Sequence, residues 1–185
     1  MNLSQEPNKR IDSEYYIEGY ATTWDPYPLM EIDGITYYEK IARDAFAGAD
    51  MSDIIMQYNH DGKVFARNSN GTLIVEPDDH GFFIAADLSR SAGAKELYTE
   101  IQEGLITKMS WAFTVSDESY DKDTRTRTIN RVKKVYDVSA VSIPANSGTE
   151  ISARSYLDGV IEKEKQEMRE LEKQILIHKL RRFRK

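Results

Sequence analysis

The chain has no cysteine and only three histidines in 185 residues. The first absence excludes thiol nucleophiles, disulfides, iron–sulfur clusters and cysteine-based zinc sites. The second confines imidazole chemistry to His60, His80 and His178. HExxH, HxxEH and Asp/His clusters are also missing, so a metal hydrolase is poorly supported and neither metal nor cofactor is expected. No apolar run approaches eighteen residues, and the opening MNLSQEPNKRIDSEYY lacks the apolar stretch of a signal peptide. A cytosolic protein with no membrane role is expected.

What is present, 40% hydrophobic and 30% charged residues, suits one domain with a single core of ordinary size. The net charge of −6 is unevenly spread. Residues 155–185 carry nine Lys/Arg against six acids, net +3, whereas residues 1–154 carry a net of −9. Such asymmetry marks an acidic body with an appended basic segment, which serves solubility or docks on an oppositely charged partner. The body repels phosphates and the basic tail is too local to compensate, so no direct nucleic-acid role is expected.

Residues 1–14 read as a flexible arm. Strand-like alternation runs from Tyr16 to Thr23, and Asp33-Gly34 between apolar flanks signals a hairpin turn. Ala42 to Ala49 is expected to form helical turns around a buried Phe46. Ile54 to Tyr58 suits a strand buried on both faces, which delivers Asn59-His60-Asp61-Gly62 at its end. Val64 to Ala66, Thr72 to Val75 and Phe82 to Leu88 continue the strand series. A helix is predicted from Ser91, its cap, to Gly104, its stop, with Leu97 and Ile101 on one face. A strand over Thr107 to Val115, an exposed hairpin loop over the polar, charged Ser116 to Thr128, and two strands, Ile129 to Val135 and Asp137 to Ile143, complete the body. The expected fold is α+β: mainly an antiparallel β-barrel flanked by helices, with a C-terminal helical extension. In that extension Ile161, Met168, Leu171 and Ile175 form a partial heptad stripe broken by Glu164 and His178, fitting a coiled-coil seam or a helix docked on its own domain.

With cysteine absent, a covalent mechanism falls to Ser, Thr, Lys or a carboxylate, and a serine needs a base. His60 is placed at a strand tip, fixed yet open at one edge; His80 lies among turn residues and reads as a solvated loop histidine. Ser110 sits inside the apolar run Met109-Ser110-Trp111-Ala112-Phe113, where an unpartnered hydroxyl would cost ~1–3 kcal/mol. Its partner is either a neighbouring backbone carbonyl or an imidazole. Asp137 opens an apolar strand and shares a face with Ser139, Val141 and Ile143. It is either an exposed strand-end charge or a buried group that orients a base.

Taken together, Glu18-Gly19-Tyr20-Ala21, Asn59-His60-Asp61, Gly104 to Phe113 and Asp137-Val138-Ser139-Ala140-Val141-Ser142-Ile143-Pro144-Ala145-Asn146 resemble the prohead maturation proteases of tailed bacteriophages. These serine proteases are related in fold to the herpesvirus assemblins. The resemblance covers about residues 15 to 154, the proposed protease domain, with 155–185 as a basic helical tail. It implies His60 as general base, Ser110 as nucleophile and Asp137 as the third member, where the family often has Glu. It also implies that Trp111, standing where the family more often has a small or aliphatic residue, reshapes the substrate groove. The implied substrates and partners are the major capsid protein precursor, the scaffolding protein and the chain itself, cut inside the assembling prohead in the host cytoplasm. A homodimer, on which assemblin-like enzymes can depend, stays open. The rival reading is a non-catalytic capsid assembly or scaffolding module in which Ser110 and His60 are core and loop residues.

Overall fold

The computed structural model describes residues 9–142, 162–163 and 165–175, and the chain divides into two units, 1–146 and 147–185. In the first unit the order is β1 (Tyr16–Thr23), β2 (Tyr27–Ile32), β3 (Ile35–Ile41), β4 (Ile55–Tyr58), β5 (Asp61–Arg67), β6 (Leu73–Pro77), β7 (Gly81–Asp87), α1 (Ala92–Gln102), β8 (Lys108–Asp121) and β9 (Thr126–Val141). The class is α+β and strand-rich, as expected.

The barrel is a correction. Antiparallel β1, β7 and β6 make one sheet in the order β1-β7-β6, and β2-β3-β9-β4-β5 with β8 make another. Among the described residues no strand pairing joins the two, so neither closes. The reason lies in β9, which takes β8 along one edge while its other edge accepts first β3 (Tyr38↔Thr126 to Ile41↔Ile129) and then β4 (Ile55↔Asp137 to Tyr58↔Ala140), both parallel. Two short strands share the edge of one long strand, and the sheet spreads rather than curls shut.

The expected loop over Ser116 to Thr128 is also corrected. β8 and β9 form one long hairpin, turning only at residues 122–125, and the two strands expected after it are a single β9. Register shifts interrupt the pairing between Ala112 and Phe113 and three times between Thr114 and Glu118. Each adds a residue out of phase, which scrambles the period-two pattern by which a strand is recognised.

Local signals held elsewhere. Asp33 and Gly34 both take positive φ, +53° and +76°, the turn whose twist matches its flanking strands. Ser91 Oγ accepts from the Ala94 amide at 3.1 Å and caps α1, whose Ala94, Leu97 and Ile101 are buried. Residues 42–49 form successive four-residue turns rather than a helix, with Phe46 buried as expected.

The core gathers Phe46 stacked on Phe82, and Trp111 stacked on Phe113 at 3.8 Å between centroids. Trp111 is 5% exposed. It therefore packs in the core and is not available to line a groove, against expectation. Burial of each such side chain is worth about 1.5–3 kcal/mol. Residues 9–13 lie against the three-stranded sheet: Arg10 packs over Phe83, and Ser13 Oγ donates to Asp87 at 2.5 Å.

In the second unit residues 165–175 are helical, and Met168, Leu171 and Ile175 are exposed along that helix. Residues 1–8, the motif end Ile143 to Asn146, and Ile161, Glu164 and His178 of the expected stripe lie outside the described residues. No helix among the described residues is long and apolar enough to cross a membrane.

A buried ionic cluster ties the start of β9 to its neighbours. Arg127, 1% exposed, donates to Glu39 on β3 and to Glu118 on β8, and the Tyr27 hydroxyl donates to Glu39. Burial pushes the Glu39 carboxyl above its ordinary range although Tyr27 and Arg127 hold it down. Arg127→Ala would leave that carboxyl buried without its cation, and urea unfolding at neutral pH should show a loss of about 3–5 kcal/mol. Because Glu39 would then be still harder to ionise in the folded state, the deficit should narrow as pH falls towards ~4.3, where the unfolded chain also holds the proton. A deficit that does not change with pH would show that Glu39 is not the group left exposed to the penalty.

Candidate active site

β4 and β5 are joined by a hairpin with only two residues at its tip, Asn59 and His60, since Tyr58 pairs with Asp61. Both take positive φ, +52° and +59°. Asn and His are both among the side chains that tolerate that region, yet a non-glycine residue there still costs of order 1–3 kcal/mol unless its surroundings impose it. Those surroundings are visible. The Asn59 amide donates to Ala140 O at 3.0 Å, and its side-chain Oδ1 accepts from the Ser142 amide at 3.1 Å. Gln57 Nε2 donates to Gly62 O at 3.3 Å across the hairpin. The turn is clasped to the end of β9.

Held in this way, the His60 ring folds back so that Nδ1 lies 2.7 Å from Asp137 Oδ1, with the side chains 15% and 9% exposed. A carboxylate has no proton to give, so the contact puts the proton on Nδ1 and leaves Nε2 as an acceptor. Asp137 is thus the buried partner of the His60 imidazole rather than an exposed strand-end charge.

Ser110, 4% exposed, is brought to the same face by register. It pairs directly with Ser139 across β8 and β9, and Ser139 pairs with Gln57 across β9 and β4. Opposed residues project to one side with Cβ atoms about 4.5–5.5 Å apart. The same rule sends Trp111, Val138 and Met56 into the core on the other side. Ser139 Oγ donates to Asp137 Oδ1 at 2.7 Å, so one carboxylate oxygen holds both the imidazole and a hydroxyl.

Of the two partners open to Ser110, the structure records a hydrogen bond from Oγ to neither. It does place the hydroxyl one residue pair from the carboxylate that holds the imidazole. His80 is not part of this cluster: it lies in the turn before β7, exposed, with its ring edge-on to Tyr20 at 4.5 Å. Two contributors were not singled out from sequence. Ser139 was recognised only as sharing a face with Asp137, and Asn59 only as a neighbour of His60. The period of two could have flagged the first, but nothing local reveals that Asn59 reaches Ser142, 83 residues away.

Comparison with known proteins places the chain as a whole. The caudovirus prohead serine protease family matches residues 3–168, a span that includes every strand, α1 and the three candidate residues. The chain belongs to this family. Among its relatives, the prohead protease of Enterobacteria phage HK97 is 24% identical over 144 residues, which is 77% of this chain and 61% of that protein. The chain therefore spans about three fifths of the length of the curated relative it matches. No solved structure matches. In this family member, then, the histidine at the strained hairpin tip and the serine on β8 fall inside the shared region.

The turn is testable through its two requirements. Asn59→Gly keeps a residue at ease at positive φ and loses only the bond to Ser142, whereas Asn59→Ala loses both. Urea unfolding should place the Ala variant about 1–2 kcal/mol below the Gly variant. Equal stabilities would mean that the turn conformation is unstrained.

Proposed function

We propose that the protein is a serine endopeptidase of capsid maturation, with Ser110 as nucleophile, His60 as general base and Asp137 as the carboxylate that orients it. The observation that carries this reading is the His60 Nδ1 to Asp137 Oδ1 contact of 2.7 Å beside a serine placed on the same face by strand register. As a scissile peptide binds, Ser110 Oγ attacks the carbonyl carbon while its proton passes to Nε2 of His60. The imidazolium is stabilised by Asp137 and returns that proton to the departing amine. Water then attacks the acyl-enzyme, giving its proton to the same nitrogen, and the acid product leaves with Ser110 restored. Hydrogen bonds between nucleophile and base are commonly long or poorly aligned before substrate arrives, so the two side chains need not be bonded in the free site.

The family and its phage HK97 member, a prohead protease, support substrates within the assembling prohead. We assign these as the scaffolding protein or the scaffold-like segment of the major capsid protein, together with the chain itself. The protease would then act inside the assembling particle in the host cytoplasm.

Labelling with a fluorophosphonate probe tests the chemistry. Wild type should label at Ser110, Ser110→Ala should not label, and Asp137→Asn should react about 10⁴-fold more slowly. Labelling of Ser110→Ala equal to wild type would overturn the nucleophile, and unchanged processing of capsid precursor by that variant would favour a non-catalytic assembly module.

The basic segment 155–185, net +3 against a body of −9, is proposed to carry the protease into the prohead by docking on scaffold or capsid precursor. Deleting it should lower the number of protease copies per prohead, counted by quantitative mass spectrometry. Unchanged incorporation would exclude that role.

A further inference from the structure

Asp137 accepts two hydrogen bonds on one oxygen, and only one of them comes from the proposed base. The other comes from Ser139, which is 0% exposed and whose hydroxyl makes its recorded bond to Asp137 Oδ1 at 2.7 Å. The neighbours of Ser139 offer it no competing use. Ser110 faces it across β8 without a recorded bond, and Gln57, facing it across β4, turns its amide to Gly62 O.

We infer that Ser139 is a positioning residue of the site: by donating to Oδ1 from a fixed place on β9, it fixes the rotation with which the Asp137 carboxylate meets His60 Nδ1. This rests on the protease reading. The physical need is specific. Rotation about the last bond of an aspartate is broad, so a single imidazole donor leaves the carboxylate plane free to swing. A second donor on the same strand, two residues on and on the same face, narrows that swing. The proton then stays at Nδ1, and Nε2 is kept as the acceptor. With its own proton committed to Asp137 and no exposed surface, Ser139 is also withheld from acting as a second nucleophile beside Ser110.

The test compares Ser139→Ala, which removes the donor, with Ser139→Thr, which keeps it on a side chain suited to a strand. Only three histidines are present, so long-range proton–nitrogen spectra of the ¹⁵N-labelled full chain resolve the His60 tautomer and the exchange rate of its Nδ1 proton. Exchange should be about 10- to 100-fold faster in Ser139→Ala, with growth of the Nε2–H tautomer, and should return to within about three-fold of wild type in Ser139→Thr. Fluorophosphonate labelling of Ser110 should follow the same order, falling about 10- to 100-fold and recovering. A tautomer and exchange rate unchanged in Ser139→Ala would overturn the inference, as would a Thr variant as impaired as the Ala variant, which would mark a packing effect. If wild type fails to label at all, the protease reading fails, while the spectra still decide whether Ser139 positions Asp137.

Discussion

The hydrogen-bond ladder of β9 places the three side chains that the proposed chemistry names. One edge of this strand sets Ser110 against Ser139; the other sets β4 in parallel so that the hairpin after Tyr58 reaches back over Asp137. Because side chains alternate with a period of two, a slip of one residue on either edge would send Ser110 or His60 to the aromatic side of the sheet. The register is protected on that side by packing. Met56, Val138 and Ala140 are fully buried and Trp111 stacks on Phe113, so a slip would also drive these residues out of the core. The apolar face of the sheet thereby fixes the geometry of its polar face.

This explains what could be read from the sequence and what could not. A serine inside an apolar strand, a histidine at the end of a buried one and an acid opening a third are local oddities, and each stood out because its surroundings contradicted it. Asp33-Gly34 and Ser91 were legible because turn and cap chemistry depends on a few adjacent residues. The pairing of β9 with β3 and β4 is not legible, since these parallel neighbours come from segments separated by more than 80 residues and leave no local mark. Residues 116–121 and 126–128 read as hairpin loop because they are polar and charged, and the barrel reading rests on the spacing of many short strands. Asn59-His60 is a further case: its turn resembles that of Asp33-Gly34 in backbone but carries an imidazole where glycine is usual, so the sequence hides a hairpin tip.

That substitution links strain to chemistry. A glycine at residue 60 would relieve the backbone, yet only a side chain there can lie over β9 from a two-residue tip. The cost of holding His60 at positive φ is offset by the Asn59 bonds to Ala140 and Ser142 and by the contact with Asp137. A side chain bound both by its backbone and by its ring has little freedom left to reorganise when charge develops on it, which is the property required of a base that works in a preorganised site.

The two buried polar clusters of β9 show why one is a candidate for catalysis and the other is not. At the start of the strand, the Arg127 donors face Glu39 and Glu118, and Tyr27 completes Glu39; the bonds recorded there run among these four side chains. Near the end of the strand, Asp137 is likewise satisfied, by Ser139 and His60, but its imidazole partner presents a second nitrogen outside the cluster. A proton taken there is balanced by a carboxylate already in place, and no buried group is left unpaired before or after transfer. Burial and hydrogen bonding are therefore not what distinguish the site, since both clusters have them. The distinction is one ring nitrogen with no recorded bond on an otherwise satisfied network, carried by a histidine that is held against Asp137, on the face of the sheet that also carries Ser110.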